Sequence, residues 1–411
     1  MSHQSWSGRG LILRIWIVLV IMVLLHICMT FINVSKPGLQ IFTLKIVGSR
    51  SQNQDEETMN TFAMRKKLYQ EGCKYVTKVH KEAIEILVND QYKLAYCPLP
   101  KAGKTFWVRV FRFISRDVGD SVKVRSFYDV DRRFAHFEKW KVNPVLKYIP
   151  GKENNQTLHN LKFMVTRDPY RRLLSAYIDK ILLPDFWFTH GRAIVKQRKK
   201  NKTAGSNKDV ECPGDISFKE FLAYAVRTWD EHWIPATRTC APCSFQPHLI
   251  VHLESFSRDS NFILKKANLS HLIEDDKQKT HVESEVRSIT NYNYKLLKYK
   301  HYLKCLPFKR LAKKLWSAFK LNGHIRKNAI FPDDEIDEGM SKNLFNVSKH
   351  ITKVFINQVR KDPLTEEESK YQKEAELRRE YGDVPRNLIT KVQEIFEEDF
   401  ILFGYDTKPP A

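Results

Sequence analysis

Two segments combine residue types able to hold an anion and move a charged group. The first is Tyr96-Cys97-Pro98-Leu99-Pro100-Lys101-Ala102-Gly103-Lys104-Thr105-Phe106-Trp107, where an apolar strand pattern gives way to a helical one. Backbone N–H groups in such a turn form an anion-binding concavity, and the helix N-terminus adds partial positive charge. Gly103 lets the backbone approach a ligand, while Lys101 and Lys104 supply cations. A nucleoside-triphosphatase loop would need glycine five positions before Gly103, and Pro98 stands there, so that chemistry is excluded. The second segment is Phe163-Met164-Val165-Thr166-Arg167-Asp168-Pro169-Tyr170-Arg171-Arg172-Leu173-Leu174-Ser175-Ala176-Tyr177-Ile178-Asp179-Lys180. Pro169 suits the first turn of a helix, which puts Arg167 at the carboxyl edge of a strand, where open α/β sheets bind ligands.

Other residues could serve a proton transfer or a metal. His136, Glu138 and His232 are candidate general bases by residue type, and His136 falls between the two basic turns. Asp129-Val130-Asp131 is a triplet that would chelate a divalent ion and a nucleotide-sugar diphosphate. Cys240-Ala241-Pro242-Cys243 admits zinc or redox chemistry, although no second such pair exists and structural disulfides fit better.

The elements that must position these residues follow from hydrophobic pattern. Tyr92–Cys97, Leu161–Thr166 and Leu249–Leu253 read as buried strands. Each precedes a helical pattern: Thr105–Ser115, Tyr170–Leu182 and Phe256–Ala267. Strand, turn and helix repeated in this order predict an α/β fold with a parallel sheet and flanking helices. Met64–Val88 reads as helix, Arg192–Lys208 as a basic loop, and residues 362–399 as acidic surface helices.

The N-terminus carries a different signal. Ile15–Val34 contains no formal charge and is long enough to cross a hydrocarbon core as a helix. No small-residue cleavage site follows, so the expectation is a retained signal anchor rather than a removed leader. Arg9 and Arg14 before the span favour a cytoplasmic N-terminus. The predicted organisation is a tail at 1–14, a transmembrane anchor at 15–34, a stem at 35–63 and a luminal domain at 64–411. Beyond the span lie six cysteines, Cys73, Cys97, Cys212, Cys240, Cys243 and Cys305, an even set suited to disulfides in an oxidising lumen. Asn33, Asn155, Asn201, Asn268 and Asn346 each begin a glycosylation sequon.

Lys and Arg total 69 against 47 Asp and Glu, a formal charge of +22. That surplus calls for a polyanionic partner. A luminal domain leaves nucleic acid out and keeps an acidic polymer or a phosphate-bearing ligand. Hydrophobic residues at 42% and aromatics at 12% exclude a disordered chain. The surplus concentrates in 192–208 and in 287–327, the latter free of Asp and Glu, which reads either as a solvated face or as a groove for an anionic glycan.

Taken together, Pro100-Lys101-x-Gly103-x-Thr105-x-Trp107 and Arg167-Asp168-Pro169-x-x-Arg172-Leu173-x-Ser175-Ala176-Tyr177 resemble the donor signature of Golgi carbohydrate sulfotransferases. The resemblance is to the group holding the HNK-1 and the chondroitin/dermatan 4-O-sulfotransferases. Glu231-His232-Trp233-Ile234-Pro235 with Cys240-x-x-Cys243, and the ending Phe396–Tyr405, resemble two further segments of that family. The chain departs from the family at Lys104, where a small residue is common, and after Cys243, where the usual Tyr-Asp is missing.

The resemblance implies a P-loop-like sulfotransferase fold and the co-substrate 3′-phosphoadenosine 5′-phosphosulfate. By it, Lys101, Gly103, Lys104, Thr105 and Trp107 hold the phosphosulfate, Arg167 and Ser175 bind the 3′-phosphate, and Lys101 neutralises the departing phosphate. It further implies a glycan acceptor and Golgi residence; His136 is the expected base by residue type and position, His232 is expected on the acceptor side, and sulfuryl transfer of this kind needs no metal. Two rival expectations stand beside it. One is a metal-dependent type II glycosyltransferase using Asp129 and Asp131. The other is a non-catalytic, membrane-anchored glycan-binding protein.

Overall fold

The computed structural model describes residues 54–76, 83–119, 124–141, 144–149, 157, 159–200, 212–273, 277–336 and 343–410. The expected tail, the anchor at 15–34 and most of the stem lie outside the described residues. No helix among the described residues is long and apolar enough to cross a membrane. Residues Phe62–Ala411 form one compact unit.

Five strands build the sheet of this unit: β1 (Ile84–Asn89), β2 (Leu94–Cys97), β3 (Val145–Tyr148), β4 (Leu161–Thr166) and β5 (Leu249–His252), in the order β3-β1-β2-β4-β5. β2, β4 and β5 run parallel, with Tyr96 opposite Phe163 and Val165 opposite Val251. The helix α1 (Lys104–Ile114) follows β2, and α3 (Pro169–Tyr177) follows β4; between them lies the short α2 (Arg132–Phe137). Each parallel strand is therefore followed by a helix, as the strand–helix alternation demands.

The sheet is nevertheless mixed, which corrects the parallel sheet expected from sequence. β1 pairs antiparallel with both β2 and β3. The reason is local: β1 and β2 are joined by a tight hairpin with Lys93 at φ 54°, too short for the crossover that parallel pairing needs. β1 also falls inside Met64–Val88, read from sequence as helix. Residues 62–72 are helical, but Ile84–Asn89 is a strand in which Ile84, Ile86 and Leu87 are buried. Arg192–Lys200, expected as loop, is a helix.

Two apolar clusters hold the unit together. One lies around the sheet, where Trp107 packs on Phe163 at 4.5 Å between ring centroids and Tyr96 stacks on Phe163 at 4.9 Å. The other joins α3 to the C-terminal helices through Trp187, Phe221, Trp233, Trp316, Phe319 and Phe355. The six cysteines pair as Cys73–Cys243, Cys97–Cys240 and Cys212–Cys305. Both cysteines of the Cys240-x-x-Cys243 segment are thus spent in disulfides to different partners, which removes the zinc and redox readings.

Candidate active site

The turn between β2 and α1 is built to leave its backbone N–H groups open. Gly103 caps α1 in the left-handed region at φ 77°, with no side chain taking the first-turn N–H groups. A Cβ at Gly103 would also meet the Phe256 ring at 2.8 Å, so only glycine fits. Lys101 is itself left-handed at φ 65°, a conformation that costs a residue with a Cβ about 1–2 kcal/mol and is retained by its surroundings.

Those surroundings are a charge cluster. Lys101 Nζ donates to Asp179 at 2.7 Å, and Arg132 reaches the same carboxylate at 3.3 Å from α2. Lys180 lies 3.8 Å from Asp179 and also pairs with Asp185, which accepts from the Tyr292 hydroxyl. Asp179 and Lys180 sit in a π-helical turn, Ile178–Leu182, that continues α3; such turns insert an extra residue and recur at functional sites. Burial alone would push the Asp179 carboxyl up, yet Lys101, Arg132 and Lys180 hold it well below its ordinary value. Burial brings Lys101 down to about 8 against the upward pull of Asp179, with Arg132 and Lys180 adding to the fall.

The second basic turn meets the first directly. Arg167 leaves the end of β4 and its Nη1 donates to the Lys101 carbonyl at 3.2 Å. No ion pair ties its guanidinium among the described residues. Asp168 caps α3 by accepting from Arg171 N at 2.9 Å, with Pro169 at the first helical position. Ser175 is half-buried on α3, two turns further on.

His136 faces the phosphate loop from α2. Its Nε2 lies 3.0 Å from the Thr105 hydroxyl. Burial, then Arg132, Lys104, Lys180 and Arg109, bring its pKa down to about 3, so the ring is neutral at physiological pH. Glu138, at the end of α2, is exposed, lines a different groove with Asp117 and Lys139, and shows no contact with the loop. His232 Nδ1 lies 2.6 Å from Asp230 and its ring meets Phe186 edge-on, so it flanks the Lys180–Asp185 part of the cluster. Its neighbour Glu231 pairs with Lys104 at 3.3 Å.

Several residues take roles that sequence did not assign. Trp107 is fully buried among Tyr96, Phe163 and Phe106, so it supports the loop from beneath and faces no ligand. Asp129 Oδ2 accepts from Arg125 N and Ser126 N, and Asp131 Oδ1 from Arg133 N and Phe134 N. Both carboxylates of the triplet are turn and helix caps, which accounts for them without a metal. Arg172 is buried and donates to the carbonyls of Pro100, Ile234 and Glu231, stitching the phosphate loop to the Glu231–Pro235 segment. Asp399, from the C-terminal segment, accepts from Ala236 N at 2.7 Å and Thr237 N at 2.9 Å. Tyr405 reaches Thr166 at 2.9 Å beside Arg167.

Sequence missed Arg132, Asp179 and Lys180 as members of the cluster. Asp179 and Lys180 close the second segment, and that position was the available signal; Arg132 had none.

Four of the twelve Lys and Arg in the basic run 287–327 meet carboxylates among the described residues. Lys309 and Lys313 pair with Asp333, Arg326 with Asp362 and Glu368, and Lys327 with Glu376. Arg198 of the other basic segment pairs with Asp215 and Glu220. Part of the expected groove charge therefore joins basic and acidic segments of the fold.

A family model described as sulfotransferase family matches residues 85–320, a span holding both basic turns, α2 and the Asp179 turn. Among curated proteins, carbohydrate sulfotransferase 14 of Danio rerio is 28% identical over 215 residues, covering 50% of this chain and 54% of its own. Carbohydrate sulfotransferase 10 of Rattus norvegicus is 29% identical over 220 residues, covering 48% and 56%. Carbohydrate sulfotransferase 8 of Homo sapiens is 28% identical over 218 residues, covering 49% and 48%. The match thus spans about half the length of these relatives. No solved structure matches the chain.

Proposed function

Because the chain belongs to the sulfotransferase family, we propose that it transfers a sulfuryl group from 3′-phosphoadenosine 5′-phosphosulfate to a hydroxyl of a glycan. The observation that carries this reading is the junction of the two basic turns, where Arg167 bonds the backbone of Lys101. The residues fit the donor: an uncapped helix N-terminus, a glycine that admits no side chain, and cations from three elements around one point. When bound, the donor supplies an activated sulfuryl group on a phosphate leaving group.

Lys101, Gly103, Lys104 and Thr105 hold the phosphosulfate, and Arg167 with Ser175 binds the 3′-phosphate. Lys101 neutralises charge that builds on the bridging oxygen as the in-line displacement proceeds. His136 accepts the acceptor proton; burial and then nearby cations depress its basicity, and an anionic donor offsets the cations. His232 orients the acceptor. These protein cations do the charge stabilisation, so no metal is invoked. The names of the relatives support the glycan acceptor. Three disulfides support an oxidising compartment, consistent with a Golgi protein of type II topology anchored by residues 15–34.

The test is transfer of sulfur-35 from labelled donor to a panel of desulfated glycosaminoglycans and glycoprotein glycans. A labelled product is expected, and His136→Asn should lower kcat by about 10²–10⁴-fold with donor affinity kept. Absence of label on every acceptor would defeat the reading.

A pH dependence follows. Lys101 is charged below its pKa of about 8 and loses its proton above it, so kcat/KM for the donor should fall as pH rises through that value. Asp179→Asn removes the carboxylate that raises this pKa, so the basic limb should move to lower pH. A limb that stays in place in this variant would separate Asp179 from Lys101.

A further inference from the structure

Among the described cations that make none of the ion pairs above, one group is set apart by the aromatic rings around it. Arg192, Lys298, Lys300 and Lys304 are all exposed and make none of the ion pairs found. They are interleaved with rings. The Arg192 guanidinium lies over Phe188 at 4.4 Å, Phe188 meets His301 edge-on at 4.4 Å, and His301 stacks with Tyr299 at 5.9 Å. Lys298 lies over Tyr299 at 4.9 Å. The result is a continuous ladder running cation, ring, ring, ring, cation. Tyr299 is 47% exposed and Leu303 beside it 42%, so the ladder faces solvent.

Two features fix this surface to the candidate active site. Phe188 and Arg192 are carried by the π-turn Trp187–Gly191 and the helix after it, while residues 298–304 are clamped by the Cys212–Cys305 disulfide. Tyr302, in contact with Phe188 at 4.6 Å, donates to the Asp185 carbonyl at 3.3 Å. Asp185 pairs with Lys180, the neighbour of Asp179 and Lys101.

We propose that the ladder Arg192–Phe188–His301–Tyr299–Lys298, with Lys300 and Lys304, is a docking surface for an anionic polysaccharide chain. Exposed rings take the apolar C–H faces of sugar units, and the flanking cations take their carboxylate or sulfate groups. A neutral glycan would satisfy the rings alone and leave four cations without a counter-charge. The proposal rests on the sulfotransferase reading only in naming this polymer as the acceptor.

Binding is therefore measured with the full chain and no donor, against two polymers of equal length: hyaluronan, charged only through its carboxylates, and uncharged dextran. Hyaluronan should bind more tightly, and its affinity should fall with added salt because exposed charges are screened. The triple variant Arg192→Ser, Lys298→Ser, Lys300→Ser should weaken hyaluronan by about tenfold or more. Tyr299→Ala, which leaves every cation in place, should weaken it about threefold through the lost ring face. The same variants should raise KM for a charged polymeric acceptor and leave kcat unchanged. Dextran bound as tightly as hyaluronan, or a folded triple variant that binds hyaluronan like wild type, would overturn the proposal. Failure of sulfate transfer on every acceptor with the binding pattern intact would remove the enzyme reading and leave the docking surface standing.

Discussion

Lys101→Ala is expected to lower kcat/KM for the donor by about 10²–10³-fold or more, the loss typical of removing one group that stabilises developing charge. Arg167→Ala should weaken the donor chiefly through KM, because the role proposed for its guanidinium is to hold the nucleotide rather than the reacting bond. Neither change should unfold the protein. Without Lys101, the Asp179 carboxylate keeps Arg132 at 3.3 Å and Lys180 at 3.8 Å, so no buried charge is orphaned. Among the described residues Arg167 makes one hydrogen bond to backbone and no ion pair, so its loss strands little. Transfer of labelled sulfate and thermal unfolding, measured on the same preparations, separate the two effects. Wild-type turnover in a folded Lys101→Ala protein would defeat the assignment of the loop.

Arg172→Ala should instead damage the fold, by about 3–5 kcal/mol. Its guanidinium is 1% exposed and serves three carbonyls, Pro100, Ile234 and Glu231, from segments far apart in sequence. Removing it takes the donor from three carbonyls, the Pro100 one buried, and opens a void beneath the Lys101–Thr105 turn. Burial lowers its pKa to about 10, with Asp399 pulling upward, so it stays charged at physiological pH. Arg172→Lys should recover little, since one ammonium cannot reach three carbonyls as a planar fork does. The shift in urea midpoint at constant slope measures the cost. A loss below about 1 kcal/mol would mean that water or neighbours replace the guanidinium.

The contrast between Arg167 and Arg172 shows how far local sequence reaches. Both stand in one motif five residues apart, and residue type does not tell them apart. The turn geometry after β4 leaves one at the sheet edge and sends the other into the interior. The same holds for the acidic triplet: Asp129 and Asp131 have the spacing of a chelator, yet the backbone amides nearest them claim their oxygens. Trp107 occupies a motif position and points into the core. In each case a short-range pattern named the segment, and packing decided the role.

What sequence determined by itself was whatever is encoded within a few residues. The two strand, basic turn and helix units were legible because strand and helix periodicities differ and Gly103 and Pro169 punctuate them. Tertiary structure alone decided what depends on residues distant along the chain. Asp179 reaches Lys101 across 78 positions, His136 reaches Thr105 across 31, and Glu368 reaches Arg326 across 42. Hydrophobic pattern says which face of an element is buried and nothing about which charges meet across it. The antiparallel edge of the sheet, the pairing of the six cysteines and the ion pairs of Lys309, Lys313, Arg326 and Lys327 in the long basic run all belong to this second group. Net charge pointed to an anionic partner; only folding sorted the cations into those that hold the protein together, those that surround the phosphate loop, and those left facing solvent.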